Sequence, residues 1–212
     1  MNLPRIVRES KRAHEERPPP PTERTRPHYW LGEDRRKEIE SLLVGGGVLP
    51  LYISKTAEAK MRNHSISCGE RNQEAMGLLL GDVYVHSNET YSIVEDVVTT
   101  RLKASRVSVS FERDGLEQLF GHLDDVHFDY VIIGWYHSHP GYTCFMSPKD
   151  VETQRAMFRE KFHFAIVLDP TEMQIEAYTL SGDNCVPAPF LVYWDEFEDP
   201  YGRMKRLAVR PR

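Results

Sequence analysis

The chain of 212 residues has no run of about 18 apolar residues, so no stretch is long enough to cross a membrane as a helix. Its first residues are charged and lack the apolar centre of a secretory signal. Cysteine is scarce: Cys68, Cys144 and Cys185 are an odd number without zinc-finger spacing. That argues against a disulfide framework and for a reducing, cytoplasmic setting. No internal repeat is visible. Basic charge is also short, 27 Lys and Arg against 32 Asp and Glu, and it outnumbers acid only at the ends. Residues 1–27 carry +3 and residues 203–212 carry +5, which leaves −13 between them. An acidic body argues against nucleic acid as the ligand and tolerates a basic protein partner.

What is present suits one domain with tails, since 40% of the residues are hydrophobic. The expected division is an Arg- and Pro-rich extension over 1–30, a domain over 31–198 and a basic tail over 199–212. Pro18 to Pro21 form a block. Residues 1–27 therefore read as disordered or as a polyproline II spacer, with a docking tail as the alternative. A helix is expected from Glu33 to Val44, ended by Gly45-Gly46-Gly47. Val48 to Ser54 reads as a strand, and Lys55 to about His64 as a helix. Glu74 to Leu80 is a second strand. Val83 to His86 and Tyr91 to Val98 read as a hairpin around Ser87-Asn88-Glu89. Val107 to Phe111 is a further strand, and Leu116, Leu119, Phe120 and Leu123 recur at helical spacing. Phe162 to Leu168, Met173 to Leu180 and Pro189 to Phe197 are later strands. The total is a mixed α/β (α+β) domain: one curved sheet flanked by helices.

The chemistry gathers in fourteen residues, from His137 to Asp150. Asp129 to Tyr136 (DYVIIGWY) is apolar and β-branched and reads as a buried strand. His137 and His139 continue it, and alternate residues of an extended chain share a face. Both imidazoles can then point at one ion, with Ser138 turned away. Pro140-Gly141 ends the strand. Ser147 is placed to cap a helix, with Pro148 as its first residue and Asp150 in its first turn. Two His and a carboxylate suit Zn²⁺ with a fourth position open for water, the pattern of a catalytic site. Glu74, at the mouth of an apolar strand, is the candidate base. Each residue also has an ordinary reading. Ser147 and Asp150 can be caps alone, and the histidines can be polar groups at a strand end. Cys144 reads as a small packing residue. His14, His28, His64, His86, His122, His127 and His163 lack partners at ligand spacing and read as surface or satisfied residues.

His-Ser-His-Pro (137–140), then Ser147-x-x-Asp150 with seven residues between His139 and Ser147, resembles the JAMM motif of the MPN-domain metalloproteases. Glu74 in EAMGLLLG (74–81) matches that family's glutamate. LYISKTAEAKMRNH (51–64), VSVSF (107–111), IGWYHSHPGYTCFMSPKDVETQ (133–154) and IVLDP (166–170) fall in the family's order. Within it they are most similar to the proteasome-lid deubiquitinase and the signalosome isopeptidase. Phe145 stands where those enzymes typically have tryptophan, a departure that bears on substrate grip.

The resemblance implies an MPN/cytidine-deaminase-like domain and a zinc metallo-isopeptidase. One catalytic Zn²⁺ with a bound water would be held by His137, His139 and Asp150. Glu74 would be the general base and Ser147 the donor to an oxyanion. The implied substrate is the Gly-Gly tail of ubiquitin or a ubiquitin-like modifier, conjugated or extended as a precursor, within a proteasome-like or modifier-conjugation system. Residues 99–106 would be an insertion touching that substrate, or a plain solvated loop. Two alternatives remain: a maturation peptidase for a sulfur-carrier precursor, as in compact prokaryotic relatives, and a non-catalytic MPN scaffold.

Overall fold

A computed structural model describes residues 16–99 and 131–194. Within them nine strands form a single curled sheet in the order β1-β9-β2-β4-β3-β5-β6-β7-β8. The strands are β1 (Thr25–Arg26), β2 (Leu51–Ser54), β3 (Met76–His86), β4 (Glu89–Thr99), β5 (Val131–Ser138), β6 (Phe164–Asp169), β7 (Gln174–Ser181), β8 (Asn184–Ala188) and β9 (Phe190–Tyr193). The helices are α1 (Glu33–Val44), α2 (Lys55–Gly69) and α3 (Pro148–Met157). Most neighbours run antiparallel, but β2 is parallel to β4 and β9, and β5 is parallel to β6. The expected mixed α/β domain with a curved, mostly antiparallel sheet is the observed one.

The helices segregate by face. One buried cluster joins Ile39 of α1 and Ala57, Met61 and Cys68 of α2 to Leu51, Ile53, Leu79, Ile133, Ile166 and Leu168 of the sheet. The other joins Met76, Leu78, Leu80, Trp135, Ala165 and Val167 to Phe158, the residue that ends α3. α2 begins at Ser54, whose side chain accepts from Ala57 N–H. Its buried stripe runs on from Ala57 and Met61 through Ser65 and Cys68, which carries the helix to Gly69, past the expected end at His64.

The two strands expected over 74–80 and 83–86 are one. β3 continues through Gly81-Asp82, where the pairing with β4 shifts register instead of breaking. Ser87 and Asn88, both at positive φ, make the tight turn into β4. β8 was not expected; Pro187 within it suits the sheet edge it occupies. Residues 16–27, expected to be disordered or a spacer, instead have defined contacts. Arg17 N–H bonds Val85 O, its guanidinium lies over the Tyr84 ring, and Thr25-Arg26 pairs with β9. The expectations for Arg101–Arg106, Val107–Phe111 and the helix near Leu116–Leu123 lie outside the described residues.

Candidate metal centre

The parallel pair β5 and β6 needs a crossover, and that crossover is the chemically rich stretch. The loop from His139 to Ser147 and then α3 connect the end of β5 to the start of β6. Ligand sites gather at the carboxyl ends of parallel strands, where such crossovers leave the sheet.

Which face of β5 carries the site is decided by a bulge. Between Gly134 and Ile132 the pairing with β3 shifts by one residue. Gly134 sits at φ +147°, and a Cβ there would lie 1.8 Å from Phe164 O. Strict alternation would put Ile133 and Trp135 on one face. With the shift, Ile133 faces α2 and Trp135 faces α3. His137, two residues on, follows Trp135, and the two rings stack at 4.4 Å. Trp135 is fixed in turn by Gln154 of α3, whose Oε1 accepts from Nε1–H at 2.7 Å.

α3 brings the carboxylate. Ser147 is the N-cap and Pro148 the first helical residue, as expected. Ser147 Oγ accepts from Asp150 N–H at 3.2 Å, and Asp150 Oδ2 accepts from Ser147 N–H at 2.8 Å. This capping box orients Asp150 towards β5. Its Oδ2 lies 3.5 Å from His137 Nε2 and 3.7 Å from His139 Nε2. One ligand atom from each of the three residues falls within 4.8 Å of the others, and all three residues are buried.

Two features fit this trio to a divalent cation. Buried polar nitrogens ordinarily find partners, yet among the described residues neither nitrogen of His137 nor Nδ1 of His139 has a hydrogen-bond partner. The protonation states are also those of ligands. Burial, with His137 adjacent, lowers His139 to about 4, so it is neutral at pH 7. Burial alone would raise Asp150, but His137 and Ser147 outweigh it and hold the carboxyl at about 2. Two imidazoles and a carboxylate are the donor set of an open zinc site.

Glu74 is half-buried, two residues before β3. Met76, the first residue of β3, pairs with His137 and faces the α3 side. Ser138 is fully buried and turned away, bonded to Ala75. Cys144 is a packing residue: its Sγ–H donates to Val167 O, and burial raises its pKa to about 12. His28, His64 and His163 each have a partner, in Glu58, Tyr136 and the Glu160 N–H.

Sequence reasoning missed Asp169, which closes β6 beside the loop. Its Oδ1 accepts from Gly141, Thr171 and Glu172 N–H and its Oδ2 from Thr143 N–H, at 2.8–3.1 Å. These bonds pin the turn that follows His139, where Gly141 and Thr143 take positive φ. The available signal was Asp169-Pro170 ending an apolar strand, a common turn former.

Residues 47–161 match the profile of the family described as JAB1/Mov34/MPN/PAD-1 ubiquitin protease. COP9 signalosome complex subunit 5 of Yarrowia lipolytica is 31% identical over 155 residues, 71% of this chain and 40% of that protein. The same subunit of Debaryomyces hansenii is 36% identical over 144 residues, 63% of this chain and 29% of that one. Ubiquitin carboxyl-terminal hydrolase RPN11 of Saccharomyces cerevisiae is 33% identical over 125 residues, 58% of this chain and 39% of the hydrolase. The matches thus span well under half the length of these relatives. The solution structure of protein DSY2949 from Desulfitobacterium hafniense shares the fold, with a TM-score of 0.51 at 20% identity over 68% of this chain and 94% of that one. A profile match over more than half the chain, with histidines and aspartate converging inside it, means that the chain belongs to the JAB1/Mov34/MPN/PAD-1 ubiquitin protease family.

Proposed function

We propose that this chain is a zinc-dependent isopeptidase or peptidase that cuts after the C-terminal Gly-Gly of ubiquitin or a ubiquitin-like modifier in the cytoplasm. The observation that carries the reading is the buried trio of His137, His139 and Asp150, whose imidazoles keep three nitrogens with no hydrogen-bond partner among the described residues. These three residues would hold the ion. When bound, Zn²⁺ supplies Lewis acidity and lowers the pKa of water towards ~7. Glu74 takes the proton from the attacking water and delivers it to the leaving amine. Ser147 Oγ accepts from the helix through its lone pair, so its O–H remains the donor it can offer an oxyanion on the substrate carbonyl. One well-placed donor of that kind is worth ~3–4 kcal/mol in the transition state. The relatives' names, a signalosome subunit and a ubiquitin hydrolase, support the substrate class.

The test is cleavage of a ubiquitin-fold protein extended beyond Gly-Gly, alongside a lysine-linked conjugate, with and without a zinc chelator. Chelator-sensitive cleavage that vanishes in Glu74→Gln, with zinc retained, is the expected result. Full hydrolysis by Glu74→Gln would remove Glu74 as base. A chain that neither binds zinc nor cleaves would be a scaffold.

A further inference from the structure

We infer that Ser138, the residue between the two histidines, is a positioning residue for Glu74; this rests on the isopeptidase reading, in which Glu74 is the base. The ladder between β3 and β5 ends at the pair Met76–His137. One step beyond, Ser138 N–H donates to Ala75 O at 3.0 Å. In return Ala75 N–H donates to the Ser138 hydroxyl at 2.8 Å. A side chain thus takes the place of the carbonyl that another ladder step would offer. The backbone of β5 has by then turned to β6, where His139 N–H donates to Leu168 O at 2.8 Å.

The consequence is a short covalent path. Ala75 is bonded to Glu74, and Ser138 is bonded to both His137 and His139. Two hydrogen bonds between Ala75 and Ser138 therefore set where Glu74 stands relative to both imidazoles. Ser138 is completely buried and Ala75 nearly so, which keeps water from competing for either bond. The strand period turns the Ser138 hydroxyl away from the metal face, so it cannot be a ligand. A general base must sit within hydrogen-bond reach of the proton it removes, and a displacement of 1 Å can cost about a hundred-fold in rate.

The experiment compares Ser138→Ala and Ser138→Thr in the full chain, reading three quantities. These are hydrogen exchange at the Ala75 amide, bound zinc, and kcat and KM on the extended ubiquitin-fold substrate. Ser138→Ala is expected to speed Ala75 exchange and to lower kcat by about ten- to a hundred-fold. Zinc content and KM should stay near wild type, and Ser138→Thr should restore both exchange and kcat. If Ser138→Ala does not fold, Ser138→Thr against the isosteric Ser138→Val isolates the hydroxyl. Wild-type exchange and kcat in Ser138→Ala would overturn the inference. So would a loss of kcat that only follows a loss of zinc, or a Thr variant no better than Val. An inactive wild-type chain would instead overturn the isopeptidase reading, and the Ala75 exchange rate would then decide the Ser138 link alone.

Discussion

The Trp135 indole lies flat against the His137 imidazole, the ring centroids 4.4 Å apart and the planes 14° from parallel. The indole cannot slide, because Gln154 binds its Nε1–H and donates its own Nε2–H to Phe158 O. Phe158 stacks on the far side of Trp135, at 6.2 Å and 13°. A histidine of the candidate metal trio is thus clamped through a tryptophan to the end of the helix that supplies Asp150.

Gln154→Leu keeps the volume and removes both hydrogen bonds inside a fully buried site. Losing both buried bonds should cost about 2–4 kcal/mol. Urea denaturation should show a lower midpoint with an unchanged slope. Zinc affinity should weaken as well, since the His137 ring loses its backing.

Metal should couple to stability through the trio. Zinc at about a hundred times its Kd should raise the unfolding free energy by about 2.7 kcal/mol. Asp150→Asn should abolish most of that rise while keeping a side chain that can still accept at the helix cap. A thermal shift in Asp150→Asn equal to that of wild type would show that the ion sits elsewhere.

Asp169→Asn tests the loop clamp. An amide offers one oxygen to the four backbone N–H groups now bound by two. Its NH₂ would face the Thr143 or the Gly141 N–H donor. A loss of about 2–3 kcal/mol is expected, and exchange at the Gly141 and Thr143 amides should accelerate before global unfolding.

Acid should weaken the packing of residues 28–31 on α2. His28 Nδ1 accepts from Trp30 N–H, so its Nε2 carries the proton that bonds Glu58 at 2.9 Å. Glu58 also meets Lys55 and Arg62, and despite burial its hydrogen bonds with His28 and Lys55 lower it to about 2. A lowered carboxylate stabilises the fold above its unfolded pKa, near 4.5, and that contribution fades as pH falls towards 2. Burial lowers His28 too, so the unfolded chain takes up that proton first, below about 6.5. Both groups act in the same direction. Stability should fall from near pH 6.5 downward, and Glu58→Gln should flatten the curve below pH 5.

Much of the site was legible because its signals are local. His-x-His at the end of a strand shares a face by geometry alone, and Ser-Pro-x-Asp is a cap that needs only its own four residues. The hairpin at Ser87-Asn88 and the start of α2 at Ser54 were legible for the same reason. β3 was read as two strands because Gly81-Asp82 looks like a break in isolation; pairing with β4 carries the strand across it. Residues 16–27 look like a spacer in composition, yet Arg17 and Thr25 find partners on distant strands.

The sequence by itself determined the donor groups: two histidines at strand spacing and an aspartate in a capped first turn, each in a local frame that fixes its direction. Tertiary structure decided where those frames meet. The Gly134 bulge turns Trp135 and His137 to the α3 face, a choice that depends on register with β3 and on the close approach of Phe164. Asp169 reaches the Gly141 and Thr143 amides only because β6 lies parallel to β5 and ends beside the loop. Register and strand neighbours are long-range properties, and no spacing within a single segment encodes them.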